Sequence, residues 1–288
     1  MPNPLSIKLA LQMASTQLKT EASVFEAQLL LQYALGVNRA WLIAHEYDAL
    51  QPNIQKTFEA LLNRRSAGEP IAYIMGRREF YGLDLLVTPD TLIPRADTET
   101  LVEAALAKIL DHSNQSILDL GTGTGAIALA VAKHRPKANV VAVDASPAAL
   151  EVAKNNAASL AITNVRFILS DWYAGLANQR FDLIVSNPPY IVQNDIHLTQ
   201  GDVRFEPISA LTSGADGLDD IRHIVEYCLI YLKPQGWLMI EHGYNQADLV
   251  ADLMAEVGLV SIETLKDLAG NNRVTMAKNP LIISTHWD

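Results

Sequence analysis

Four consecutive residues, Asn187-Pro188-Pro189-Tyr190, carry the most specific chemistry in the chain. An amide or exocyclic amine nitrogen is a weak nucleophile, because its lone pair is delocalised into the neighbouring π-system. The side-chain oxygen of Asn187 and the carbonyl of Pro188 can accept its two hydrogens and aim the lone pair, while Tyr190 packs on the planar group. Pro188 and Pro189 fix φ and remove two backbone donors, so carbonyls point outward without competing N–H groups. Orientation of this kind supplies on the order of 7–11 kcal/mol without a strong base. Taken alone, the segment reads better as a stiff turn ending a strand. Its position argues for more: it follows an apolar run, residues 181–186, that reads as a strand of a parallel sheet, and the carboxyl ends of such strands border the ligand crevice.

A second constellation lies earlier. Asp119-Leu120-Gly121-Thr122-Gly123-Thr124-Gly125-Ala126 follows a strand-like run and enters a helix. The glycines permit a tight turn and close backbone approach, and the helix N-terminus favours an anionic group. Asp144, 23 residues past Gly121 and at the end of the next strand, is placed to accept from ribose hydroxyls. Read as Gly121-x-Gly123-x-x-Ala126, the same residues also satisfy a dinucleotide fingerprint. Two features favour a methyltransferase using S-adenosylmethionine. Asp119 puts a buried carboxylate where a dinucleotide site usually has an apolar residue, and a carboxylate suits the ammonium of a methionyl group. The chain also ends on an antiparallel hairpin, common in methyltransferases of this architecture.

The elements that must position these residues follow from hydrophobic periodicity. Residues 1–75 read as a small helical bundle, with helical spacing over 5–18, 24–35 and 54–62. Residues 76–95 read as a β-hairpin linker, and residues 96–288 as the catalytic domain. There, strands at 116–120, 139–143, 165–169, 181–186 and 236–241 alternate with helices at 98–110, 125–133, 147–158 and 221–232. Such alternation implies a parallel sheet covered on both faces. The runs 259–265 and 273–277 leave no room for a crossover helix between them and should pair antiparallel. The expected fold is therefore α/β, a Rossmann-like sheet with a C-terminal antiparallel hairpin, behind a helical bundle.

Composition narrows the partners. The 288 residues carry 22 Lys and Arg against 32 Asp and Glu. Residues 1–75 hold six of each sign, so the deficit belongs wholly to the rest of the chain. A protein held mainly by phosphate contacts needs clustered cations, and here they are scattered. The single cysteine, Cys228, lies on an apolar helix face and cannot form an internal disulfide. Residues 1–20 lack the apolar stretch of a secretory signal, so a soluble cytoplasmic protein is expected. His242 follows a strand end and is best read as an ordinary loop histidine. No Ser/His/Asp set or metal-ligand spacing competes for the chemistry.

These residues resemble the protein-(glutamine-N5) methyltransferases of the PrmC/HemK type, which act on the glutamine of the Gly-Gly-Gln motif in peptide chain release factors. The likeness covers most of the chain. It includes residues 76–81, Leu92-Ile93-Pro94-Arg95-Ala96-Asp97-Thr98-Glu99, the glycine loop, Asn187 to Tyr190, Arg204-Phe205-Glu206-Pro207, residues 214–218, Gly270-Asn271-Asn272-Arg273 and the helical domain in front. The family commonly has Pro and Glu where Ala96 and Asp97 stand, and Ser where Thr124 stands. The resemblance implies that residues 121–125 cradle the methionyl part of S-adenosylmethionine, with Asp144 on the ribose and Asp171 and Trp172 flanking the adenine. It implies that Asn187 touches both cofactor and glutamine, that Pro188, Pro189 and Tyr190 complete the substrate pocket, and that the bundle helps dock the release factor. The alternative is an adenine amino methyltransferase acting on nucleic acid. That enzyme must flip its base and grip the backbone with cations, which a net charge of −10 disfavours. A non-catalytic nucleotide-binding module is a third reading.

Overall fold

A computed structural model describes residues 5–112, 114–177 and 179–281. Residues 1–4 of the first stretch considered above, and residues 282–288 of the second domain, lie outside the described residues. The chain divides into two compact units, residues 1–77 with 199–205, and residues 78–198 with 206–288. Among the described residues, no helix is long and apolar enough to cross a membrane.

The first unit is built on α1 (Ile7–Gln17), α2 (Ser23–Leu35), α3 (Arg39–Ala44), α4 (Pro52–Ser66) and α5 (Ile71–Met75). Local chemistry sets their ends. Ser6 caps α1 by accepting from the Leu9 N–H at 3.3 Å, Asn38 caps α3 through Trp41 N–H at 2.9 Å, and Pro52 starts α4, where a missing donor costs nothing. The spacing predicts three helices; the other two, α3 and α5, have six and five residues, too few to show a 3.6-residue period. Ala27, Leu30 and Leu31 of α2 are fully buried at the centre. Residues 199–205 join this unit through Asp202, whose carboxylate accepts from Arg65 at 2.7 Å.

The second unit opens with the hairpin β1 (Arg77–Phe80) and β2 (Leu83–Leu86), turned at Tyr81 and Gly82, both with positive φ. The hairpin ends there, and residues 87–95 run on without strand or helix. Phe80, Leu83 and Leu85 pack into this unit's core. After α6 (Glu99–Lys108), the strands β3 (Ser116–Leu120), β4 (Asn139–Asp144), β5 (Val165–Leu169), β6 (Phe181–Ser186) and β7 (Leu232–Glu241) alternate with α7 (Ala126–His134), α8 (Pro147–Ser159) and α9 (Asp219–Tyr231). They are followed by α10 (Ala247–Glu256), β8 (Val260–Lys266) and β9 (Asn272–Lys278).

The seven strands lie in the order β5-β4-β3-β6-β7-β9-β8. The first five run parallel, and β9 pairs antiparallel with both β7 and β8, as the sequence predicts. Side chains alternate between two cores, as a period of two requires. Ile117, Val140 and Leu183 face α6 and α7, whereas Leu118, Val141 and Ile184 face α9 and α10. Cys228 is fully buried in the second core, where burial pushes its thiol up to about 12. The strand order reverses between β3 and β6, which makes their carboxyl ends the switch point of the sheet.

Candidate active site

Register alone brings the candidate residues together. Leu120 of β3 pairs with Val143 of β4 and Ser186 of β6, so Gly121, Asp144 and Asn187 each follow a residue in one line across three strands. Ser186 fastens the β6 end to β3 by donating its hydroxyl to the Leu120 carbonyl at 2.9 Å. Beyond these ends opens a cleft of about 460 Å³, the size of a small-ligand site. Gly121, Thr122, Gly123 and Thr124 line it, as do Asp144, Asp171, Trp172, Asn187 and Pro189.

The glycine loop is tight for a stated reason. Gly121 has φ of +72° and would aim a Cβ at the Trp172 ring, 3.4 Å away. The Gly123 N–H donates to Asp144 Oδ2 at 2.8 Å, and the Ser146 N–H donates to Oδ1 at 2.9 Å. Both bonds orient the Asp144 carboxylate and favour its charge, while burial works more strongly the other way and raises its pKa. Trp172 holds a positive φ of 44°, a conformation that costs of order 1–3 kcal/mol and clusters at functional sites. Ser170 braces it by donating to the Trp172 carbonyl at 2.7 Å and accepting from the Gly175 N–H at 2.7 Å.

Four of the sequence-derived residues stand behind the cleft wall. Asp119 is fully buried beneath the loop. One oxygen, Oδ2, accepts from the Thr122 hydroxyl at 2.6 Å and the Ala128 N–H at 3.2 Å, so this carboxylate holds the loop against α7 and does not line the cleft. Burial pushes it up to about 7 despite those two donors. Gly125 caps α7 in the left-handed region. Pro188 is buried, and Tyr190 packs against the second core, its hydroxyl donating to Glu241 Oε1 at 3.4 Å. His242, too, is fully buried. Its ring bonds to Thr275 and the Gly243 carbonyl, and burial lowers its pKa.

Asn187 is held in one orientation. Its Nδ2 donates to Thr98 Oγ1 at 3.1 Å, and its Oδ1 is buried with no partner. A buried unpaired acceptor costs about 1–3 kcal/mol, so this oxygen is set to receive a donor. Sequence reasoning gave no role to the far wall, which is formed by Pro89, Asp90, Thr91, Leu92, Pro94, Arg95 and Thr98. Arg95 pairs there with the buried Glu206 at 2.6 Å. The only signal for that wall was the stretch 92–99, because nothing local places it beside residues far along the chain. Asp90, Asp144, Asp171 and Asp220 line the cleft against Arg95 alone, a balance that suits a cationic ligand such as a sulfonium. Together with the space around Gly121 and the unpartnered Asn187 oxygen, it fits S-adenosylmethionine. Among the described residues no cluster of His, Cys, Asp or Glu could hold a metal ion.

A parallel sheet closed by an antiparallel hairpin, with its cleft at the switch point, is the architecture of the methyltransferase fold. Residues 97–204 match the family model of the methyltransferase small domain, and residues 10–76 match that of the PrmC N-terminal domain. A release factor glutamine methyltransferase of Xylella fastidiosa (strain 9a5c) is 48% identical over 280 residues, covering 97% of this chain and 99% of the relative. One from Escherichia coli (strain K12) is 46% identical over 269 residues, covering 93% and 97%. The chain belongs to the release factor glutamine methyltransferases. In fold it is also similar to a methyltransferase from Pyrococcus furiosus, with a TM-score of 0.52 at 18% identity over 77% of this chain and 98% of that one.

Proposed function

We propose that this chain transfers a methyl group from S-adenosylmethionine to the side-chain amide nitrogen of the glutamine in the Gly-Gly-Gln motif of peptide chain release factors. The observation that carries the reading is the buried, unpartnered Asn187 Oδ1, set beside the glycine loop by strand register. Family membership supports the substrate.

Residues 121–124 would hold the methionyl part of the cofactor, Asp144 the ribose, and Asp171 and Trp172 the adenine. When bound, S-adenosylmethionine supplies an electrophilic methyl on a positive sulfur. The chain's part is orientation. Asn187 Oδ1 accepts an amide hydrogen, which places the glutamine nitrogen for in-line attack, and the buried Pro188 stiffens the turn that holds Asn187. In the transfer an N–C bond would form as the S–C bond breaks, S-adenosylhomocysteine would leave as the neutral thioether, and the proton lost from the nitrogen would pass to water. Tyr190 supports this from behind: burial raises its pKa, which keeps the hydroxyl protonated and able to donate to Glu241. The exposed Phe25, Ile43 and Tyr47 of the first unit offer apolar surface for docking the release factor.

Incubation with S-adenosylmethionine, a release factor and a DNA duplex, followed by mass spectrometry, tests the reading. Methyl is expected on the Gly-Gly-Gln glutamine, and methylation of DNA adenine alone would sink it. In the same assay Asn187→Ala is expected to lower kcat on the order of 100-fold while cofactor affinity changes about threefold or less, because it loosens only the oriented nitrogen.

A further inference from the structure

The two walls of the cleft are joined through Asn156 of α8. Its side chain has no exposure, although asparagine is mostly a surface residue. Oδ1 accepts from the Leu86 N–H at 2.6 Å. Nδ2 donates to the Leu86 carbonyl at 3.0 Å and to the Thr124 carbonyl at 2.9 Å. Both amide hydrogens are thereby used, together with the acceptor. Toward Leu86, the last residue of β2, the amide behaves as a neighbouring strand would, meeting both backbone groups. Toward Thr124 it holds the glycine loop.

Each of these attachments leads to one wall. Thr124 lines the cleft with the rest of the glycine cradle. Ala153, one turn earlier on the same helix, lies where a Cβ at Gly125 would meet it at 3.2 Å, so α8 supports the loop by contact and by bond. Leu86 is the root of the far wall. Beyond the buried Val87, residues 88–91 close a turn on themselves. There Thr88 Oγ1 accepts from the Asp90 N–H at 3.2 Å, and the Thr88 carbonyl accepts from the Thr91 N–H at 3.1 Å. Such a turn carries its own shape but takes its place from the residue it is rooted on. Pro89, Asp90 and Thr91 of that turn line the cleft.

We infer that Asn156 is a positioning residue for the cofactor: by bonding Leu86 and Thr124 at once, it fixes the spacing of the two walls between which S-adenosylmethionine is received. The inference rests on the reading of that cleft as the cofactor site. Its bonds span 70 residues to Leu86 and 32 to Thr124, so neither wall can shift alone without stranding a backbone group that burial makes costly.

Calorimetric titration of the full chain with S-adenosylhomocysteine tests it. Asn156→Asp keeps the size of the side chain and an acceptor for the Leu86 N–H, but an ionised carboxylate has no hydrogen for either carbonyl. Met254→Ala, a truncation on α10 in the second core, serves as a variant that is destabilised elsewhere. Both are expected to melt earlier than wild type. Asn156→Asp is expected to lose affinity about tenfold or more, and Met254→Ala about threefold or less. At saturating S-adenosylmethionine and release factor, Asn156→Asp is expected to keep kcat within about threefold of wild type, the reverse of the pattern for Asn187→Ala. Wild-type affinity in Asn156→Asp would overturn the inference, as would equal losses in the two variants, which is what general destabilisation gives. Should Asn156→Asp not fold, hydrogen exchange of the wild type decides. S-adenosylhomocysteine is expected to slow exchange at the Leu86 N–H, which lies outside the cleft lining, as well as in 121–125. Protection of 121–125 with Leu86 unchanged would show that the walls are not coupled. Failure of the wild type to bind sinks the cofactor reading and the inference with it, whereas wild-type binding with an unaltered variant sinks only the positioning role.

Discussion

At the scale of single residues, the catalytic unit stores unfavourable electrostatics beside its cleft. Asp119 is the clearest case, a carboxyl with no exposure that burial pushes up to about 7. Its folded pKa lies above the ordinary value, so the folded chain binds this proton more tightly than the unfolded chain. The stability this group contributes is full in acid, below its unfolded pKa, and is lost as pH rises through about 7. Asp119→Asn removes the ionisation while keeping an oxygen for Thr122 and Ala128. Its stability relative to wild type is therefore expected to improve between about pH 5 and about pH 8, by about 2–3 kcal/mol at 1.36 kcal/mol per unit. Thermal unfolding of both proteins at the two pH values measures this, and a pH-independent gap would contradict it. The carboxylate's place under the loop, away from the cleft wall, makes its role that of a brace: it ties Thr122 to α7.

At the scale of elements, the glycine loop separates fold from binding. Gly125 has φ of +83°, and a Cβ there would meet Leu129 Cδ1 at 3.0 Å and Ala153 Cβ at 3.2 Å, in the packing of α7 on α8. A Cβ at Gly121 would instead meet only the edge of Trp172, at 3.4 and 3.6 Å. Both alanine variants carry left-handed strain, of order 1 kcal/mol. Gly125→Ala adds overpacking and is expected to lose about 2–4 kcal/mol of stability in urea titration. Gly121→Ala is expected to lose about 1 kcal/mol and to weaken cofactor binding about tenfold or more, because its methyl enters the cradle. Equal stability losses would refute the distinction. The same loop shows what the sequence discloses. Strands β3, β5 and β6 are readable to their ends, because each is a short, mostly apolar run broken by no Gly or Pro, and the residues just past them are legible as site residues for that reason. In β7 the structure runs from Leu232, whereas Pro234 and Gly236 make the sequence read as a strand only from 236. The Asn279 side chain donates to the Leu232 and Lys233 carbonyls and holds that irregular start, a contact 46 or 47 residues distant that no local pattern announces. Thr98 escaped for the same reason. Its hydrogen bond with Asn187 exists only after the sheet has set its register.

At the scale of the whole molecule, the chain leaves its catalytic unit after Leu198 and returns at Glu206. The intervening residues are held in the helical unit by one buried cation. The Arg65 side chain, 8% exposed, bonds to both oxygens of Glu26 at 2.8 and 3.0 Å, to Asp202 at 2.7 Å and to the Glu69 carbonyl at 3.0 Å. Arg204 adds a bond to the Ala67 carbonyl at 2.9 Å. Thus the loop that follows Asn187 and Tyr190, and that ends on the Glu206 side chain paired with Arg95, has its middle fixed to the helical bundle. Removing one partner of a buried pair costs about 3–5 kcal/mol, because the remaining charge stays buried and uncompensated. Arg65→Met keeps the stem's apolar packing but strands the Glu26 carboxylate, 12% exposed, which among the described residues keeps only the Thr20 hydroxyl as donor. It should therefore destabilise the helical unit by roughly that amount and expose residues 199–205 to exchange. Hydrogen exchange resolved by segment is the measurement. Protection is expected to fall in 199–205 and in α2 and α4, with β3 and β4 unchanged. Adding Glu26→Gln should restore part of the loss, since it removes the stranded charge. Unaltered protection of 199–205 in Arg65→Met would show that the segment is held by its own backbone bonds and not by the buried arginine.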